Sequence, residues 1–355
     1  MISKWLYQKS KTGKTVQWRV STENNYLFME FGQVGGKIQK SAGQECFPTN
    51  EGRSNERNAT EQALFEAEAL YNHKLDTKYS ETQEKSNVAK ISPMLAQNGK
   101  DIKAIPFKCD LQRKMDGLRC LVVWEGDQLR LMSRGNKTYS VPHIEVQLRK
   151  ILKPGEMLDG ELYIHGVSLQ TIASWVKKNR PESIDIEYHV YDYPNDEPWK
   201  YRSDHLHKIK YGNKIVEVET YTINNMEELK KYHDQFVAEG YEGAIIRLHD
   251  GLYEYGKRSR SLLKWKDADD AEFKILDMES GVGKFEGIPS FIVQNDLNDK
   301  TFKVVPVGTA EVRRSLMDKS NIGKYITVKF FGRTDDLLPK FPVGKSIRIK
   351  EDMPK

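Results

Sequence analysis

Cysteine is scarce: the 355 residues hold three, Cys46, Cys109 and Cys120, with no Cys-x-x-Cys pair. That excludes a disulfide framework and a four-cysteine zinc site, and it fits a reducing cytoplasm. Long apolar runs are missing as well. The longest, such as Leu121 to Trp124, fall far short of the roughly 20 residues that cross a bilayer, so membrane-spanning functions are excluded. Lys4 and Lys9 break any apolar stretch at the start, and no export signal is expected. There is no internal repeat, heptad series or low-complexity tract. The phosphate-loop pattern GxxxxGK[ST] also fails, because Pro339 stands five residues before Gly344, Lys345 and Ser346. Nucleotide chemistry, if present, needs another apparatus. The eight histidines form no metal set; His205 and His207 are close, but without a third ligand they read as a solvated loop. A dominant charge of one sign is absent too, since 56 basic and 51 acidic residues leave only +5. Any polyanion must therefore be met by local patches.

What is present is a soluble composition, 38% hydrophobic and 30% charged, in a chain long enough for two large domains and a small third. Residues 1–80 open with alternating runs at Val16–Val20 and Tyr26–Phe31 and a glycine-rich turn at Gly32, Gly35 and Gly36, which reads as a hairpin. From Ala59 the period becomes helical, with Leu64, Ala67, Tyr71 and Leu75 on one face and Asn58 and Glu61 as a capping box. Residues 81–90, polar and aperiodic, read as a linker. Residues 91–267 mix strands and helices. LRCLVVW and QLRLMSR form a hairpin around Gly126, with further strands at Met157–Ile164, Asp185–Tyr191 and Gly243–Leu248. Helices are expected at His143–Leu152, Leu169–Asn179 and Met226–Glu239, the last capped by Asn225 and stopped by Gly240. Residues 268–355 turn strand-rich, with Ile326, Val328 and Phe330 on one face, and read as a small β-barrel. The last 35 residues carry eight Lys/Arg against four Asp/Glu, a patch that can meet phosphates.

The segment LQRKMDGLR places Lys114, Asp116, Gly117 and Arg119 just before an apolar strand. A lysine ahead of a tight Asp-Gly turn sits at a sheet edge, where neighbouring cations or partial desolvation can make it a nucleophile. Downstream, in order, come SRGNK (133–137), LDGELY (158–163), VYDY (190–193), YEGAIIR (241–247) and LLKWK (262–266). Two acids, Glu161 and Glu242, suit a divalent cation that takes one or two carboxylates plus substrate phosphate. Arg119 and Arg134 offer bidentate contacts to phosphate or sugar oxygens. Lys264 and Lys266 alternate along a strand, so that both point the same way.

Over residues 91–352 this series resembles the ATP-dependent DNA ligases, members of the lysine-adenylating nucleotidyltransferase superfamily. The resemblance implies an α+β chain: a nucleotidyltransferase (ATP-grasp-like) adenylation domain at 91–267, then an OB-fold barrel at 268–355. It implies that Lys114 is the adenylated nucleophile and that Glu161 binds ribose or metal. It further implies Glu242 for metal, Tyr191 stacked on adenine and Gln112 on the adenine edge. Lys264 and Lys266 then contact the α-phosphate, Arg119 and Arg134 hold adenylate and nick ends, and Arg247 and Lys257 support the metal site and substrate phosphates. The tail KFPVGKSIRIKED resembles the last motif of the family, in which Arg348, Lys350 and Asp352 orient the leaving pyrophosphate; Lys350 stands where arginine is usual. ATP and Mg²⁺ or Mn²⁺ are the implied cosubstrate and metal, and nicked duplex DNA is the implied substrate. The chain is expected to act as a monomer in the cytoplasm, or the host-cell cytoplasm if viral. An NAD-consuming ligase is disfavoured by the missing zinc site. RNA ligase or capping-type nucleotidyltransferase chemistry shares the lysine, and a non-catalytic DNA-end-binding protein is the reading from another class. Residues 1–80 resemble a WGR-type DNA-binding module, although Phe31, Gly32 and Gln33 replace Trp-Gly-Arg; a purely structural appendage is the other reading.

Overall fold

The computed structural model describes every residue except 11, 51, 53, 85–90, 179, 282–284 and 349–355. Residue contacts divide it into Met1–Trp265 and Lys266–Lys355, two residues before the expected break. Most of the expected linker, 85–90, lies outside the described residues.

Strands β1 (Leu6–Lys9), β2 (Thr15–Glu23) and β3 (Tyr26–Gln33) run antiparallel in chain order, and short β4 (Gln39–Lys40) and β5 (Gln44–Glu45) both pair with β3. Helix α1 (Ala59–Thr77) covers this sheet. Its capping box is the one expected: the Glu61 amide donates to the Asn58 side chain, and the Asn58 amide donates to the Glu61 carboxylate, each at 2.9 Å. Small side chains let the helix come close, Ala63 and Ala67 packing on Leu6, Trp18, Val20 and Leu27, whereas Leu64 stays half-buried at the margin. The far end of α1 is tied to the next sheet where Asn136 Nδ2 donates to the Asp76 carbonyl at 3.1 Å.

The rest of the first unit is built from β6 (Leu95–Asn98), β7 (Cys109–Lys114), β8 (Leu118–Glu125), β9 (Gln128–Ser133), β10 (Thr138–Tyr139), α2 (Pro142–Ile151), β11 (Leu158–Tyr163), α3 (Leu169–Lys178), β12 (Glu187–Asp192), α4 (Trp199–His207), β13 (Ile215–Glu217), β14 (Thr220–Ile223), α5 (Met226–Ala238), β15 (Gly243–Leu248) and β16 (Arg258–Trp265). One sheet has the order β10-β9-β8-β11-β12-β13 and the other β14-β7-β15-β16-β6. Each sheet buries one face under helices. Ile144, Leu148, Ile172 and Val176 of α2 and α3 pack on the first with Val122, Leu131 and Leu162. Leu229 and Phe236 of α5 pack on the second with Leu111, Ile246 and Leu263. Burying such a side chain is worth about 1.5–3 kcal/mol, so the helical layers hold the sheets and leave their opposed inner faces available for polar groups.

In the second unit β17 (Asp269–Ser280), β18 (Pro289–Gln294), β19 (Thr301–Pro306), α6 (Ala310–Ser315), β20 (Tyr325–Phe330) and β21 (Val343–Arg348) form the expected barrel, closed in the order β17-β18-β19-β21-β20. Strand β17 pairs with β20 through its first half and β18 through its second, with a register break at Ile275/Asp277 where it bends. Phe273, Ile275, Phe291, Val293, Val304, Ile326, Val328 and Phe330 fill the interior. Gly344 is packed closely against the interior: a Cβ there would lie 2.6 Å from Ile326 Cδ1 and 3.1 Å from Val304 Cγ1, so these core side chains would have to shift to admit it. Among the described residues, no helix is long and apolar enough to cross a membrane. Truncating the fully buried Phe291 to alanine should destabilise the barrel by about 3–5 kcal/mol, measured as a lower denaturant midpoint for unfolding followed by barrel-specific amide exchange.

Candidate active site

Strand β7 divides its side chains between two tasks. Cys109 and Leu111 point into the core beneath α5, and Arg113 fastens the same face by donating to Glu239 and Glu219, both at 2.8 Å. The alternate residues Asp110, Gln112 and Lys114 face the other sheet. Lys114 ends the strand opposite Gly243, its ammonium pairs with the Glu242 carboxylate, and the Glu242 amide donates to the Lys114 carbonyl at 2.9 Å. The turn that follows passes hard against β11. A Cβ on Gly117 would lie 2.6 Å from the Leu162 carbonyl and 2.7 Å from Glu161 Cγ, so close approach requires glycine there.

Across the cleft Glu161 on β11 stands directly opposite Arg119 on β8. Arg119 is already committed: it donates to both Asp159 oxygens at 2.8 and 2.5 Å and to the Met94 carbonyl at 3.0 Å, and the Tyr253 hydroxyl donates to the same Asp159 at 2.5 Å. Pairing between β11 and β12 shifts between Asp159 and Gly160, skipping Tyr191. This bulge turns both Tyr191 and Asp192 toward the cleft, where strict alternation would have sent one of them away. The Tyr191 hydroxyl donates to Glu161 at 3.2 Å. Burial pushes the Glu161 carboxyl up to about 7, against the opposing pull of Arg119, Lys114 and the Tyr191 hydroxyl.

Behind Tyr191 lies a network with almost no solvent contact. Asp192 accepts from Arg202 at 2.7 and 3.2 Å and from Arg247 at 2.6 Å. Arg247 also donates to Gln112 Oε1 at 2.6 Å, and its guanidinium carbon lies 4.4 Å from the Trp199 ring centroid. Burial of Asp192 would raise its carboxyl, yet the guanidinium groups of Arg247 and Arg202 more than offset this and hold it below the usual carboxylate range. Below, Asp110 accepts from Trp199 Nε1 and the Thr222 hydroxyl, both at 2.8 Å.

The cleft thus brings together Lys114, Gln112, Arg119, Glu161, Tyr191 and Glu242. Lys264 joins their face by register, being opposite Ile245, which is itself opposite Gln112. Lys266 departs from expectation: β16 ends at Trp265, so the alternation with Lys264 is broken, and the Lys266 ammonium lies 4.1 Å from the Phe331 ring centroid of the second unit. Arg134 is exposed in the turn after β9, and Lys257 is exposed ahead of β16. Arg247, expected near metal or phosphate, is 3% exposed and spent on Asp192 and Gln112. Arg348 lies in the barrel, donating to the Thr327 hydroxyl at 2.9 Å. Lys350 and Asp352 lie outside the described residues. His205 and His207 sit on α4 rather than in a loop, paired with Glu197 at 2.7 Å and Glu217 at 2.5 Å. Among the described residues, no three acidic, histidine or cysteine side chains form a metal cluster. Asp159, Asp192, Arg202 and Tyr253 are site supports that sequence reasoning did not single out. The two aspartates lie inside LDGELY and VYDY; Arg202 and Tyr253 carry no local signal.

Residues 93–266 match the model of the ATP dependent DNA ligase domain, and residues 280–348 match the DNA ligase OB-like domain. The DNA ligase of African swine fever virus (isolate Warthog/Namibia/Wart80/1980) is 30% identical over 312 residues, covering 79% of this chain and 73% of that protein. The DNA ligase of Enterobacteria phage T4 is 25% identical over 332 residues, covering 71% and 66%. A solved structure from a study of Lig E DNA ligases shares the fold with a TM-score of 0.63 at 24% identity, covering 74% of this chain and 100% of that one. The ordered motifs, the cleft they build and these matches agree, and the chain belongs to the ATP-dependent DNA ligase family.

Proposed function

We propose that this ligase seals nicks in duplex DNA with Lys114 as the residue that carries the adenylate. The observation that supports this most directly is one amine at the end of β7, within a cleft that also holds Glu161, Glu242, Arg119 and Tyr191. In the first step Lys114 Nζ attacks the α-phosphorus of ATP; a phosphorus–nitrogen bond forms and the bond to pyrophosphate breaks. The Glu242 carboxylate, already paired with the ammonium, is the neighbouring acceptor for the proton lost from it. In the second step a 5′-phosphate oxygen attacks the same phosphorus, releasing Lys114 and forming a phosphoanhydride. In the third step the 3′-hydroxyl attacks the DNA phosphate and AMP leaves.

Tyr191 offers its ring to the adenine, with Gln112 beside it at the base edge. Lys264, on the face of Lys114, counters phosphate charge, and Arg348, Lys350 and Asp352 are the residues we assign to the leaving pyrophosphate. Glu161 and Glu242 would hold Mg²⁺ or Mn²⁺ together with substrate phosphate. Two carboxylates suit a hard cation that keeps several waters, and such a cation would supply charge neutralisation at the phosphates when bound. Arg119, whose Nε and Nη2 are held by Asp159 and the Met94 carbonyl, has Nη1 as a fixed donor for adenylate oxygens and needs no reorganisation when charge develops. We further propose that residues 1–80 grip the DNA backbone, and that the enzyme works as a monomer in the cytoplasm; its three buried cysteines are all unpaired.

Incubation with ATP labelled on the α-phosphate should transfer label to the wild-type protein and none to Lys114→Ala; label on the variant would refute the nucleophile. Nick affinity should fall steeply with salt if the N-terminal module and the basic tail contact phosphates, with roughly one unit of log–log slope lost per contact removed. Glu161 gives a pH prediction. Its folded-state pKa is raised, so its contribution to stability is complete below the unfolded value near 4.5 and lost as pH rises through about 7. The melting temperature of the metal-free protein should therefore fall between pH 5 and 8 relative to Glu161→Gln, as followed by calorimetry at matched ionic strength.

A further inference from the structure

The buried arginine behind the base platform has no part in the chemistry just described, yet it touches both walls of the cleft. Arg247 rises from β15, donates through Nε to Gln112 on β7, and donates through Nη1 to Asp192 on β12, in the opposite sheet. Arg202 completes the Asp192 carboxylate from α4 and also donates to the Glu197 and Gly251 carbonyls at 2.7 and 2.9 Å. All four side chains are 3% exposed or less. A guanidinium has donors only, so the atom of Gln112 facing Arg247 must be its carbonyl oxygen. The amide nitrogen is thereby turned the other way, toward the Thr220 hydroxyl at 3.0 Å and the Tyr191 carbonyl at 3.4 Å. The second of these contacts is long, and it runs to the backbone of the residue that offers its ring to the purine.

We infer that Arg247 is a positioning residue for nucleobase selection: by occupying the Gln112 carbonyl it fixes which way that amide lies, holding its nitrogen against Thr220 and the Tyr191 carbonyl and so setting the backbone that carries the base platform, and through Asp192 it sets the spacing between the nucleophile strand and the Tyr191 platform. This rests on the reading of Gln112 and Tyr191 as the base site. A lysine at 247 keeps the charge for Asp192, but its single ammonium cannot reproduce the planar fork that reaches Asp192 and Gln112 together. Without the fork, the amide is free to rotate.

The test is the rate of label transfer to Lys114 from ATP and from GTP, each over a range of nucleotide concentration, in wild type, Arg247→Lys, Gln112→Met and the double variant. Arg247→Lys is expected to raise the KM for ATP about tenfold, the scale of one lost charge-assisted hydrogen bond, with a smaller change in kcat. Its preference for ATP over GTP should narrow by a similar factor. Gln112→Met should narrow the preference too, and adding Arg247→Lys to it should change the ratio no further. An equal fall with both nucleotides would mark Arg247 as structural only and overturn the inference, as would an unchanged KM and ratio in a folded Arg247→Lys protein. Should Arg247→Lys fail to fold, Gln112→Met decides alone, and an unaltered ATP preference in it is the refuting result. Absence of label on the wild-type protein would instead sink the Lys114 assignment, which is a separate failure.

Discussion

One carboxylate shared between two guanidinium groups anchors the catalytic half of this molecule. Asp192 is fully buried, as are Arg202 and Arg247, and none of the three is tolerable there alone. Together they convert a desolvation penalty into a geometric constraint, because the charges are satisfied only when β12, β15 and α4 occupy one relative arrangement. Gln112 and the Trp199 ring extend that constraint to β7. The position of Lys114, two residues along β7 from Gln112, follows from it.

The layering explains why a polar cleft can exist inside a folded core. Helices α2, α3 and α5 remove the apolar outer faces of the two sheets from water, so the inner faces need not be greasy to hold the domain together. Those faces carry Asp110, Gln112, Asp159, Asp192 and Arg247 instead, each matched to a partner before any ligand arrives. Left less tightly bound is the rim, where Lys114 meets Glu242 and where Tyr191 meets Glu161. The division is between groups consumed in holding the walls and groups left for phosphate, ribose and metal. Arg119 stands at the boundary, held on one side by Asp159 and turned on the other toward the Tyr191 ring, 5.2 Å from its centroid.

Local chemistry made much of this legible beforehand. The Asn58/Glu61 box, the Asn225 cap, the Gly126 hairpin turn and the Ile326–Phe330 alternation are short-range signals, and each appears where expected. Lys114, Glu161, Tyr191 and Glu242 were legible because they sit in strings whose order is hard to obtain by chance. What escaped was long-range or depended on backbone irregularity. The bulge that skips Tyr191 leaves no trace in an alternating pattern, and the parallel pairing of β6 with β16 joins segments some 160 residues apart. Helix α4 was hidden by its polar composition, which sent His205 and His207 to a loop. The end of β16 at Trp265 separates Lys264 from Lys266, because a two-residue spacing says nothing about where a strand stops.

The buried Asp192–Arg202–Arg247 cluster and the rim also differ in their electrostatics. The guanidinium groups of Arg247 and Arg202 hold the Asp192 carboxyl below the usual carboxylate range, whereas burial pushes the Glu161 carboxyl up to about 7. The frame is thus fixed in one ionisation state by its own charges, whereas the carboxyl at the mouth answers to whatever charge is set beside it.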